Sequence, residues 1–120
     1  MTDLYLGKHV LVDMWNCEAS LDDVDFIKDI MTGAAEDAGA TICEVSSHKF
    51  EPQGVSAMVI IAESHFSAHT WPEHNFVALD FFTCGKVIDI ETAIGNACRA
   101  LMPSEVKTRF ERRGEGLPGM

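Results

Sequence analysis

The stretch VALDFFTC, residues 77–84, lies without gaps on VLVDMWNC, residues 10–17: Val, Asp and Cys coincide, and apolar or aromatic residues oppose one another elsewhere except where Thr83 meets Asn16. Each copy opens a similar run of elements. Lys8 to Cys17, KHVLVDMWNC, is rich in β-branched and aromatic residues and reads as a strand. Ser20 with Asp23 three residues on is a capping signal. Val24, Ile27, Ile30 and Met31 then recur at helical spacing through AAEDAGA, where Gly39 supplies a stop. ATICEVSSHKF resumes as a strand. In the second half IDIETAIGNACRALM places Ile90, Ala93, Ile94, Ala97, Cys98 and Leu101 on one helix face, and VKTRFERR reads as a closing strand. Between the two strand–helix–strand units, VSAMVIIAE follows the turn EPQG and predicts an intervening hairpin. Eight matched residues are too few to establish duplication, and shared strand composition accounts for the match as well.

These elements predict an α+β two-layer sandwich, an antiparallel β-sheet with both helices on one face. The other sheet face is then uncovered, and pairing with a second copy about a two-fold axis is the expected remedy. At 120 residues the chain is a single domain, 1–120, with GEGLPGM at 114–120 as a loose tail.

Composition narrows the function. A content of 47% hydrophobic and 23% charged residues is that of a globular chain rather than a disordered one. No apolar run approaches the roughly 20 residues that span a bilayer, and MTDLYLGKHV is not a basic-then-apolar leader, so no membrane and a cytoplasmic location are expected. Nineteen acidic residues against nine basic give a formal net charge of −10, which disfavours nucleic acid and suits a small cationic ligand. KTRFERR near the C-terminus is a short mixed patch, read as a solvated strand. Cys17, Cys43, Cys84 and Cys98 form no CxxC pair, so neither a disulfide framework nor a zinc knuckle is indicated, and most are expected to be buried small hydrophobes.

The chemistry gathers in ESHFSAHTWPEH, residues 63–74, directly after the apolar VSAMVIIA. One reading makes His65, His69 and His74 with Glu73 metal ligands. The four-residue spacing of His65 and His69 helps only on a helix, whereas Pro72 biases Trp71 toward extended backbone, so no metal is expected. A second makes the segment a polar turn with solvated histidines. In the third, Ser64 is a nucleophile and His69 its proton-transfer partner; no G-x-S-x-G elbow is present, so a hydrolase triad is not the form this takes.

Three blocks together bear on the choice. FEPQGVS (50–56), ESHFSAHTWPE (63–73) and DFFTCG (80–85), with GKH at 7–9, resemble the small prokaryotic S-adenosylmethionine decarboxylases, in order and spacing, over residues 7–114. The family pattern is F-x-P-x-G-V-S, then E-S-H-[aliphatic]-x-x-H-T-W-P-E, then D-x-F-T-C-G. The resemblance implies an enzyme that makes its own pyruvoyl cofactor by self-cleavage between Glu63 and Ser64, leaving 1–63 and 64–120. Ser64 would attack the Glu63 carbonyl and end as the pyruvoyl group; His69 would assist removal of the Ser64 α-proton, with Ser56 in support. The pyruvoyl carbonyl would form a Schiff base with the substrate amine and accept electrons from the breaking carboxyl bond, the electron sink that no ordinary side chain supplies. Cys84 matches the proton donor to the substrate α-carbon; free thiols titrate near 8.5 and stay mostly protonated at neutral pH.

For the substrate, S-adenosylmethionine, the resemblance implies that Phe50 stacks on adenine, Glu73 holds ribose hydroxyls and Trp71 lines the pocket or packs beside it. A sulfonium suits aromatic faces by roughly 0.5–2 kcal/mol. It also implies a homodimer with sites at the subunit boundary, and a place in spermidine biosynthesis. Phe66, Ala57, Lys49 and Asn75 depart from the pattern, where an aliphatic residue, glycine, arginine and glycine are usual; a reshaped pocket or slower processing is the expected effect. Rival readings are a pyruvoyl-dependent ornithine or arginine decarboxylase and an uncleaved, non-catalytic homologue.

Overall fold

The computed structural model describes residues 5–62, 64–84 and 88–116. In β1, Gly7–Trp15, Val10, Val12 and Met14 are buried while Leu11, Asp13 and Trp15 are half-exposed, the period-two pattern of a strand with one face in a core. α1, Val24–Asp37, buries Ile27, Met31, Ala34 and Ala35. Its N-cap is Asp23, whose carboxylate accepts from the Phe26 N–H at 3.1 Å, not Ser20; the capping signal belongs one turn later because residues 21 and 22 form a turn of their own. Gly39, at φ +87°, ends the helix as expected. β2, Ile42–Lys49, leads through a turn closed by Phe50 N–H to the Gly54 carbonyl (2.8 Å) into β3, Val55–Ile61. β4 is Ser64–Trp71, followed by a 3-10 turn at Pro72–His74 and β5, Phe76–Thr83. α2, Ile90–Leu101, is capped by Asp89 and buries Ile90, Ala93, Ala97 and Leu101, the predicted face. β6 is Glu105–Arg113.

The strands form one antiparallel sheet in the order β2-β3-β4-β5-β1-β6. The core joins the inner faces of the four central strands to the buried faces of α1 and α2, so both helices lie on one side of the sheet. Phe66 of β4 and Phe81 of β5 meet there edge to face, centroids 4.8 Å apart and neither accessible to solvent. On the other side no element of the described residues covers the sheet. Met58 and Ile60 are each 38% exposed there, and Trp15, Phe76 and Trp71 form an aromatic row.

The register gives the matched stretches a geometry. Val12 and Leu79, equivalent in the alignment of 10–17 with 77–84, are direct partners across β1 and β5, so a local two-fold through that pair relates the two strands. Two expectations need correction. Cys17 is buried and Cys98 partly so, but Cys43 and Cys84 are exposed; Cys43 sits on edge strand β2, exposed from residue 43 to 48. The segment after Ser64, which one reading made a polar turn, is a central strand. Among the described residues no helix is long and apolar enough to cross a membrane. Of the expected tail, 114–116 form a turn and 117–120 lie outside the described residues.

Candidate active site

β4 decides where the reactive side chains go. Alternation along SHFSAHTW sends Phe66, Ala68 and Thr70 into the core and His65, Ser67, His69 and Trp71 to the open face. Ser64 is the first residue of the strand, half-buried, paired with Ile61 of β3 and with Thr83 of β5. Only residues 62 and 63 separate the paired Ile61 and Ser64 in sequence. Glu63 lies outside the described residues. Cys84, exposed, directly follows Thr83, so the serine and the thiol occupy the same end of neighbouring strands. Ser64 Oγ is 3.5 Å from His65 Nδ1, at the outer limit of hydrogen-bond distance.

The other predicted residues gather elsewhere. Ser56 and His69 are cross-strand partners, Ser56 Oγ 2.8 Å from His69 Nδ1, a hydrogen bond that orients the ring and leaves Nε2 free to meet a further group. They line a cavity of about 320 Å³ with Phe50, Trp71, Glu73 and Gly54. Phe50 is 46% exposed and edge-on to His48; Trp71 is 41% exposed and leans on Phe76, so it both packs and lines the cavity. Asp22 fixes the rim: it accepts from the Gly54 N–H at 2.7 Å and pairs with Lys49 at 3.2 Å. These interactions, the Gly54 hydrogen bond first, hold its carboxyl below the usual carboxylate range. Gly54 sits at φ +114°, where a side chain is strained.

Ser64 and His69 are five residues apart on one strand, about 17 Å at roughly 3.4 Å per residue, and their side chains leave opposite faces. One chain therefore brings Ser64 to Cys84, and Ser56 to His69, Phe50, Trp71 and Glu73, but does not bring the two groups together. His65 and His69 share a face yet stand about 13–14 Å apart, too far for one metal ion. Among the described residues no three metal-binding side chains converge.

The departures from the family pattern also find their places. Phe66 and Ala57 are buried in the core and do not line the cavity, Lys49 ties down Asp22, and Asn75 adopts φ +51°, the left-handed region that asparagine tolerates best after glycine. Sequence reasoning missed the hydrogen-bonded set at the centre of the open face: His9 Nε2 lies 3.1 Å from Asp80 Oδ1, and Ser67 donates to Asp80 Oδ2 at 3.1 Å. Period-two alternation through DFF and SHFSAH carried that signal, because it places Asp80, Ser67 and His9 on one face.

Fold and site thus define a small α+β sandwich whose serine and thiol stand at one end of the sheet and whose serine–histidine pair and aromatic cavity stand at the other. Residues 8–114 match the family model of S-adenosylmethionine decarboxylase, and the chain belongs to that family. An S-adenosylmethionine decarboxylase proenzyme of Caldanaerobacter subterraneus is 43% identical over 110 residues, 91% of this chain and 89% of that one. One from Methanococcus maripaludis is 40% identical over 91% and 90%. The crystal structure of the Aquifex aeolicus adenosylmethionine decarboxylase superposes with a TM-score of 0.86 at 31% identity, covering 97% of each chain. A Trypanosoma brucei AdoMetDC monomer shares the fold, with a TM-score of 0.61 at 15% identity; the match covers 84% of this chain and 44% of that longer one.

Proposed function

We propose that this chain is an S-adenosylmethionine decarboxylase that cleaves itself between Glu63 and Ser64 and uses the pyruvoyl group so formed, working as a homodimer of processed protomers. The observation that carries the reading is the juxtaposition of Ser64 and Cys84 at one end of adjacent strands, with the Ser56–His69 pair and its cavity at the other. A ketoacyl group fits position 64. It is half-buried at the start of a strand, next to a thiol and to a threonine hydroxyl with unmet hydrogen-bonding capacity.

A two-fold dimer through the open sheet faces supplies what one chain lacks. Such an interface is isologous; with its axis lying across the strands, each end meets the other end of its partner and two composite sites form. In each, the strand end that carries Ser64 and Cys84 in one protomer meets the end that carries Ser56, His69, Phe50 and Glu73 in the second. Exposed Met58 and Ile60 and the aromatic row favour burial of this face.

In cleavage, the Ser64 hydroxyl adds to the Glu63 carbonyl and displaces the amide nitrogen, and His69, held by Ser56, takes up the Ser64 α-proton in the elimination that releases the Glu63 carboxylate; water then replaces the freed nitrogen, lost as ammonia, to leave the pyruvoyl carbonyl. The pyruvoyl group then supplies the electron sink for loss of CO2. Phe50 offers a face to adenine, Glu73 accepts from the ribose hydroxyls, and the Cys84 thiol returns a proton to the substrate α-carbon. A short basic amino acid leaves Phe50 and Glu73 without a partner, which favours the nucleoside substrate over ornithine or arginine. Intact mass spectrometry tests the reading: two fragments divided before residue 64 are expected, the second beginning with a carbonyl in place of an amine. An active preparation composed only of uncut chain would overturn it.

A further inference from the structure

Three polar side chains are buried among the described residues: Ser67, Thr70 and Thr83. Two are provided for. Thr70 Oγ1 donates to the Leu21 carbonyl at 2.8 Å and accepts from the Val55 N–H at 2.9 Å, and Ser67 donates to Asp80. Thr83, only 1% exposed, has no hydrogen-bond partner for Oγ1 among the described residues. A buried hydroxyl without a partner destabilises a fold, and valine fills the same volume in a strand without that cost. The hydroxyl therefore calls for a user.

Register names one. Thr83 pairs directly with Ser64 across β4 and β5, and paired residues leave the same sheet face with Cβ atoms about 4.5–5.5 Å apart. The partner on its other side is Lys8, an ammonium on a long stem, and it makes no hydrogen bond to Thr83 Oγ1. Ser64 Oγ stands 3.5 Å from His65 Nδ1, a distance too long to hold it. Staggered χ1 wells leave the Ser64 oxygen free to turn away from His65 toward other neighbours on its face.

We propose that Thr83 is a positioning residue for chain cleavage: its buried hydroxyl hydrogen-bonds the Ser64 hydroxyl and holds it toward the Glu63 carbonyl. The step served is an acyl shift. The bond from Ser64 Oγ to the Glu63 carbonyl carbon forms, the carbon–nitrogen bond breaks, and the hydroxyl proton ends on the freed amine, so no co-reactant is needed. The inference rests on the reading of Ser64 as the cleaving residue.

The test follows newly synthesised full-length chain into fragments 1–63 and 64–120 by timed intact mass spectrometry, for wild type, Thr83→Val, Thr83→Ser and Ser64→Ala. Thr83→Val is expected to cut at least about tenfold more slowly, the loss of one hydrogen bond in the transition state. Its thermal midpoint should be no lower than wild type, and Thr83→Ser should restore the rate. Wild-type cutting by Thr83→Val overturns the proposal. So does Thr83→Ser cutting as slowly as Thr83→Val, which would make the methyl group the feature that matters. Should Thr83→Val not fold, Thr83→Ala, shown folded by circular dichroism, is read by the same rule. Ser64→Ala separates the two levels. If it stays uncut while Thr83→Val cuts normally, only the role of Thr83 fails; if it is itself cut before residue 64, the reading of Ser64 fails.

Discussion

Ser56 Oγ and His69 Nδ1 lie 2.8 Å apart across β3 and β4, and both stand at the far end of the sheet from Ser64. If the catalytic set is completed by a second copy, two dead variants should repair one another. Ser64→Ala and His69→Ala alone should each remain uncut. Co-expressed, they should form mixed dimers with one intact site, roughly a quarter of the wild-type sites in a statistical mixture of two-fold dimers. Fragments should come only from the His69→Ala chain, which mass spectrometry distinguishes. Absence of any cut chain in verified mixed dimers would place both residues in one protomer's site.

Cys84 follows the strand partner of Ser64 and is solvent-exposed. Cys84→Ala should therefore fold and cut, yet lose most decarboxylation, by about 10²-fold or more as expected for removal of a general acid. Carboxyl-labelled S-adenosylmethionine scored by CO2 release checks this, and full turnover would remove Cys84 from the mechanism.

Phe66 departs from the usual aliphatic residue of the family pattern, yet it is fully buried against Phe81 on the helix side. Phe66→Ala should cost about 3–5 kcal/mol of stability by leaving a cavity, read from the denaturation midpoint in urea. Phe66→Leu should be far milder and should leave KM for the substrate unchanged, because the side chain does not reach the cavity.

Burial pushes the Cys17 thiol from 9.0 up to about 11, with neighbouring Cys98 adding to the shift. Between those values the unfolded chain gives up the proton while the folded chain keeps it, so ν_U is less than ν_N and stability falls as pH rises. The contribution is complete below pH 9 and lost as pH passes about 11. The thermal midpoint of wild type should therefore drop more steeply across this window than that of Cys17→Ala; parallel curves would show that the thiol is not involved.

Helix faces were readable because Ile27 with Met31, and Ile90 with Ala93, Ala97 and Leu101, follow the 3.6 period that burial then uses. The reactive residues were readable as blocks of unusual side chains around Ser64. β4 was not, because both of its faces carry polar groups and two of the buried residues, Ser67 and Thr70, are polar. What allows their burial is tertiary: Asp80 for one, the Leu21 carbonyl and Val55 N–H for the other. The separation of Ser64 from His69 was hidden for the same reason, since closeness in sequence means distance along an extended strand.

The strand order has one more consequence. A cut after residue 63 would assign β1, β2 and β3 to one polypeptide and β4, β5 and β6 to the other, and in the sheet these interleave as β2-β3, β4-β5, β1, β6. Three ladders, β3 to β4, β5 to β1 and β1 to β6, would then join separate molecules, with the first strand wedged between two belonging to the other piece. Neither piece could leave without tearing the sheet apart, so each mature protomer would be a heterodimer of fragments locked together by topology.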